Sequence, residues 1–141
     1  MGARSKARKR ALDMLYIADV RQAPLGEVLR EEGERAAAQP QRSSSWPYAE
    51  EIVRGVIENA PAIDRLIEEH AVGWTLARMP AVDRAALRIG VWELLYNDDV
   101  PDAVAVSEAV INVRELSTDE SPEFVNGVLG RIQSVKDTLV D

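Results

Sequence analysis

Residues 80–97 constrain the fold more than any other stretch of this chain. Pro80 opens the run, where a missing backbone N–H costs nothing at the start of a helix. Leu87, Val91 and Leu94 fall on one side at helical spacing; Ala85, Ile89, Trp92 and Tyr96 fall on another. A helix apolar nearly all round is buried. This segment is therefore expected to be a central helix, with the rest of the chain wrapped around it.

The flanking segments carry the same period. Ala11, Met14, Leu15 and Ala18 sit at i, i+3, i+4, i+7 in a first helix from Arg4 to about Val20. Leu25, Val28, Leu29 and Ala36 mark a second, opened by Pro24 and running to about Ala38. Gln39–Ser45 reads as a linker, with Ser45 as the cap of a third helix that carries Ala49, Ile52, Val53, Val56, Ile57 and Ala60 inward. Pro61 interrupts it, and Ile63, Leu66, Ile67 and His70 form a fourth. Gly73–Leu76 reads as a turn with Trp74 as a core anchor. The run Ala103–Val106 has a strand-like composition, but Val106, Ala109, Val110, Val113 and Leu116 keep helical period, so a sixth helix is expected. Ser121 as cap and Pro122 begin a seventh, with Val125, Val128, Leu129 and Ile132 inward. Gly127 and Gly130 cost helix propensity and are expected to permit close packing. The reading is all-α, about seven helices, in a single domain over residues 1–141.

Charge is distributed unevenly. The net charge is −7, from 17 Lys and Arg against 24 Asp and Glu. Arg4, Lys6, Arg8, Lys9 and Arg10 lie within the first ten residues, which contain no acid. Residues 11–141 therefore hold 12 basic against 24 acidic side chains, a net −12. An acidic chain ordinarily repels nucleic acid, yet a cationic segment at one end is the asymmetry of a polyanion binder. At 100° per residue, Arg4 and Arg8 point the same way as Leu12, Leu15 and Ala18. Two readings follow. In one, the helix docks by its apolar half and its cationic half, Arg8 included, runs out past the packed body toward an anion. In the other, the segment is a basic tail that only aids solubility.

The residue inventory excludes much chemistry. There is no cysteine, hence no disulfide, thiolate metal site or thiol nucleophile. His70 is the only histidine, and its place on an apolar stripe suits a core or rim residue. Adjacent acids such as Glu31-Glu32 and Asp98-Asp99 do not face one another on a helix. No phosphate-binding glycine loop or nucleophile–base pair is present. No cofactor is expected, and the residues argue for a binding module and not an enzyme. No apolar run is long enough for a membrane span and no secretory signal is visible, so a cytoplasmic protein is expected.

Three stretches taken together resemble the NusB family of bacterial transcription antitermination factors, and its actinobacterial members most. They are Ala7-Arg8-Lys9-Arg10-Ala11-Leu12 with Leu15-Tyr16; Trp74 to Arg88, including Val82-Asp83-Arg84-Ala85, continuing to Trp92-Glu93-Leu94-Leu95; and Val104 to Val110, followed by Glu120-Ser121 and Phe124-Val125-Asn126-Gly127-Val128-Leu129. The resemblance implies an all-α fold of two packed helical bundles, here about 1–60 and 61–141. It implies binding of boxA-type single-stranded RNA together with the small-subunit ribosomal protein that acts as NusE. The complex joins RNA polymerase and other Nus factors and supports transcription of ribosomal RNA operons. Both monomers and homodimers occur in the family.

By the same resemblance, Arg4, Lys6, Arg8, Lys9 and Arg10 take the basic-motif positions and Tyr16 the aromatic beside it. Glu120 and Phe124 match positions used near RNA, where a carboxylate can accept bonds from base amino groups and a ring can stack a base; Phe124 is equally readable as core. Asp83 resembles a partner contact, or is a first-turn acid complementing the helix dipole. Leu116-Ser117-Thr118 and Glu123 depart from the family pattern, which has Phe-Gly and a basic residue there. Competing readings are a NusB-like module in ribosomal RNA processing or ribosome assembly, a plain protein-interaction bundle, and a His70 or acid-cluster hydrolase.

Overall fold

The computed structural model describes residues 2–139, and of residues 42 and 43 only the backbone. The helices are α1 (Ala3–Arg21), α2 (Leu25–Ala38), α3 (Trp46–Glu58), α4 (Ala60–His70), α5 (Ala81–Tyr96), α6 (Asp102–Leu116), α7 (Ser121–Ser134) and the single turn α8 (Lys136–Leu139). No strand occurs among the described residues, so Ala103–Val106 is helical, as the longer period indicated. The expected linker is itself wound, into a 3-10 helix over Pro40–Ser45. Ser45 makes no capping bond to α3; its hydroxyl instead accepts from Arg10 Nη1 at 3.1 Å. Ser121 is likewise the first residue of α7 and not its cap.

Helix α5 is the hub. It packs against α1, α3, α4, α6 and α7. Its two apolar sides account for this: Leu87, Val91 and Leu94 are buried, and so are Ala85, Ile89 and Trp92. Tyr96, at the last turn, is half-exposed. Helices α1, α2 and α3 pack together, α6 and α7 pack together, and α5 lies against α1 and α3 of the first group and both helices of the second. Arg84 and Arg88 tie the joins. Arg84 reaches Asp19 of α1 at 2.8 Å and the carbonyls of Leu76 and Met79, and Arg88 pairs with Asp64 of α4 at 2.9 Å.

Two glycines set the closest helix crossings. A Cβ on Gly55 would lie 1.8 Å from Trp92 Nε1, and one on Gly90 would lie 2.7 Å from Leu129 Cδ1. Glycine at these positions brings α3 and α7 against α5. The glycines expected to do this do not. A Cβ on Gly130 would meet nothing within 4 Å, and one on Gly127 would meet only the end of the Arg131 side chain. Gly55→Ala should therefore destabilise by several kcal/mol, at or beyond the roughly 1–3 kcal/mol of ordinary overpacking, because the added carbon would overlap a buried indole. Gly130→Ala should be neutral or stabilise by up to about 1 kcal/mol through helix propensity. Urea midpoints of the two variants check the contrast; equal losses would contradict this account of the crossings.

Candidate nucleic-acid interface

The basic motif is part of the packed body and not a tail. Ala7, Ala11, Leu12, Met14 and Leu15 are buried along α1, so the helix is docked almost from its start. Arg8 follows the buried stripe. It is 4% exposed, and its Nε lies 3.0 and 2.9 Å from the two oxygens of Glu93, itself 1% exposed. Its Nη1 donates to Glu108 of α6 at 2.9 Å. The expectation that Arg8 projects past the body is thereby corrected. The stripe geometry was right, but two carboxylates supply the counter-charge that lets arginine stay buried.

The pair sits in a wider network. The Tyr48 hydroxyl of α3 donates to Glu93, Asn97 Nδ2 donates to the Tyr48 oxygen at 3.1 Å, and the Ser5 hydroxyl donates to Glu108. Burial would lower the Arg8 pKa, but the hydrogen bond and charge of Glu93 outweigh it and the net shift is upward. The Tyr48 phenol is pushed well above the ordinary tyrosine range, by burial first and then by its bond to Glu93 and that carboxylate's charge. Four helices thus meet on one buried ion pair: α1, α3, α5 and α6.

The remaining cations face outward. Arg4 and Lys6 are exposed, and the Arg4 guanidinium carbon lies 4.5 Å from the centre of the Tyr48 ring. Lys9 is half-exposed and pairs with Glu115 of α6 at 2.7 Å. Arg10 is half-buried, with its guanidinium carbon 5.3 Å from the Trp46 ring centre. Tyr16 is 42% exposed, two turns along α1 from Lys9. The structure therefore gathers Arg4, Lys6, Lys9 and Arg10 at one end of α1 and takes Arg8 out of that surface.

Glu120 and Phe124 belong to a second place. A cleft of about 280 Å³ opens between the segment before α5 and the start of α7, lined by Trp74, Arg78, Met79, Thr118, Glu120 and Phe124. Phe124 is half-buried and meets Trp74 edge-on, with ring centres 6.1 Å apart. Trp74 is 49% exposed and is not the core anchor expected of it. Glu120 is exposed. Asp83, which resembles a partner contact, does not reach the surface. It is 2% exposed and accepts from Ser117 Oγ at 2.7 Å and Ser121 Oγ at 2.9 Å. Two hydroxyl donors, from the end of α6 and the first residue of α7, explain how a first-turn acid can be buried.

Sequence reasoning missed Tyr48, Glu93 and Glu108 altogether. Glu93 was the detectable one, because a carboxylate between Trp92 and Leu94 in an all-round apolar helix needs a buried partner. Among the described residues there is no group of three or more His, Cys, Asp or Glu placed to hold a metal ion. No described helix is long and apolar enough to cross a membrane.

Comparison with known proteins decides the family. The NusB family model matches residues 5–134. The chain belongs to the NusB family. Transcription antitermination protein NusB of Leifsonia xyli is 64% identical over 136 residues, covering 96% of this chain and 94% of that protein. That of Clavibacter sepedonicus is 59% identical, covering 96% and 99%. The NusB of T. maritima superposes with a TM-score of 0.81 at 30% identity, covering 93% of this chain and 90% of that one. A chain in the crystal structure of antitermination factors NusB and NusE in complex with dsRNA gives 0.81 at 29% identity, covering 94% and 97%. The span matched by the family model includes Lys6, Lys9 and Arg10 of α1 and the Trp74–Phe124 cleft. The fold is accordingly the all-α, two-bundle NusB fold.

Two outcomes follow for the buried network. Arg8→Ala should cost roughly 3–5 kcal/mol of stability, because it strands the Glu93 carboxylate without its cation. Denaturant unfolding reads this directly, and a loss within about 0.5 kcal/mol, the range of a surface substitution, would contradict the burial. The second outcome concerns alkaline pH. A phenol whose folded pKa is raised contributes stability that is present below the ordinary value of 10.0 and lost as pH climbs beyond it. Tyr48→Phe should flatten that alkaline limb when urea midpoints are measured from pH 8 upward.

Proposed function

We propose that this chain is a transcription antitermination factor that binds boxA-type single-stranded RNA together with the ribosomal protein NusE, in a complex with RNA polymerase and other Nus factors. The observation that carries this is the gathering of Arg4, Lys6, Lys9 and Arg10 at one end of an otherwise acidic body, in a chain of the NusB family. Cations on a helix grip phosphates without regard to sequence, and aromatic faces stack splayed bases. Tyr16 extends the first surface, and the cleft of Glu120 and Phe124 is the second. Arg8 acts at one remove, as the strut that holds the motif. Asp83 shapes a partner surface by fixing the Ser117–Ser121 turn, since its own carboxylate is buried.

The chain is read as a cytoplasmic binding module and not an enzyme. NusE suits the charge balance. Residues 11–141 carry a net −12 that repels phosphate. A basic protein docked on the acidic surface neutralises that field and extends the cationic track.

The test is an RNA titration by fluorescence anisotropy with a boxA-type strand, with and without NusE. With four outward cations on phosphates, the log–log slope of affinity against salt should be about −2 to −3, at about −0.7 per phosphate for single strands. NusE should tighten binding by at least about tenfold, or 1.4 kcal/mol, and by linkage RNA should tighten NusE binding equally. A slope near zero would remove the phosphate grip. Equal affinity with and without NusE would leave an RNA-binding module without co-operative assembly.

A further inference from the structure

Two of the outward arginines are laid on aromatic rings, and both rings come from the first turn of α3. Arg4 sits over Tyr48 at 4.5 Å and Arg10 over Trp46 at 5.3 Å. We propose that the first turn of α3 is the positioning element of the RNA grip, with Tyr48 orienting Arg4 and Trp46 orienting Arg10. This rests on the RNA-binding reading above and adds to it two residues that touch no phosphate themselves.

Tyr48 is buried where Arg4 is exposed, and Trp46, like the Arg10 it carries, is half-buried. Tyr48 is 9% exposed, donates to Glu93, accepts from Asn97 at 3.1 Å and packs at a tilt on Trp92. Trp46 rests against Gly33 of α2, where a Cβ would come within 3.3 Å of its ring. Ser45, next to Trp46, also takes a hydrogen bond from Arg10. An arginine side chain in solvent loses rotamer freedom when it grips a phosphate. One already held over a ring has lost part of that freedom beforehand. A contact with the ring face does not itself use an N–H donor, so it is compatible with a bond to a phosphate oxygen; Arg10 in addition gives Nη1 to Ser45. Arg8 lies 5.8 Å from the same Tyr48 ring, but Glu93 and Glu108 take up its charge and its donors.

A double-mutant cycle separates positioning from mere folding. Tyr48→Leu should weaken binding of a boxA-type strand roughly two- to tenfold, the range for immobilising one long side chain. In an Arg4→Ala background the same change should have no further effect, and Tyr48→Phe should retain the affinity that Tyr48→Leu loses. Trp46→Leu with Arg10→Ala forms an independent cycle at a half-buried site, should Tyr48→Leu fail to fold by circular dichroism. Equal weakening by the ring substitution with and without its arginine, in the folded variants, would overturn the positioning role while RNA binding stands. Wild-type protein that does not bind RNA would overturn the functional reading, and this inference with it. Non-additive loss confined to each arginine–ring pair supports both.

Discussion

One buried ion pair fixes where everything else on α1 points. Arg8 and Glu93 are each nearly inaccessible and lie within 3.0 Å. Burying two charges costs several kcal/mol per ion, and the attraction between them returns that only with good geometry and satisfied lone pairs. Here the conditions are met. Glu93 receives both the guanidinium and the Tyr48 hydroxyl, Arg8 also reaches Glu108, and no buried side-chain nitrogen or oxygen among the described residues lacks a partner. Such a pair adds little net stability but tolerates only one arrangement. It sets the rotation of α1 about its axis, and with that the direction of every other cation in the motif. One cation of the five is buried so that the rest are presented.

The same pairing shapes the charge pattern. α6 carries acids toward α1: Glu108 against Arg8 and Glu115 against Lys9. The Lys9–Glu115 pair is exposed, where ion pairs contribute on the order of 0–1 kcal/mol and salt weakens them. Lys9 can therefore exchange its carboxylate for a phosphate at small cost, whereas Arg8 cannot. Burial sorts the motif into fixed and exchangeable cations, which residue type alone does not distinguish.

Most of the helical frame was legible because each helix buries a stripe of the right period. The central role of α5 followed from its apolar girth. What failed shares a physical cause: it depended on what lies across a contact. Gly127 and Gly130 look like packing glycines within their own helix, yet Gly55 and Gly90 are the ones facing Trp92 and Leu129. Ser45 and Ser121 have cap chemistry, but Arg10 and Asp83 compete for their hydroxyls and win. Trp74 looks like an anchor by size, and only the three-dimensional arrangement leaves it half outside the core. The basic residues were identified by type, while the burial of Arg8 needed Glu93 and Glu108, which lie 85 and 100 positions away.

The two surfaces proposed for RNA are not independent, because α5 spans both. It carries two buried acids. Asp83, in the first turn, holds the Ser117–Ser121 turn beside the Trp74–Phe124 cleft, and Glu93, in the last turns, holds Arg8 beneath the basic motif. Ten residues of helix separate them by about 15 Å along the axis. Because each acid is fully occupied by groups from one surface, the helix acts as a ruler between the two. A substitution that shifts α5 therefore disturbs both the Arg8 strut and the Ser117–Ser121 turn without touching either surface.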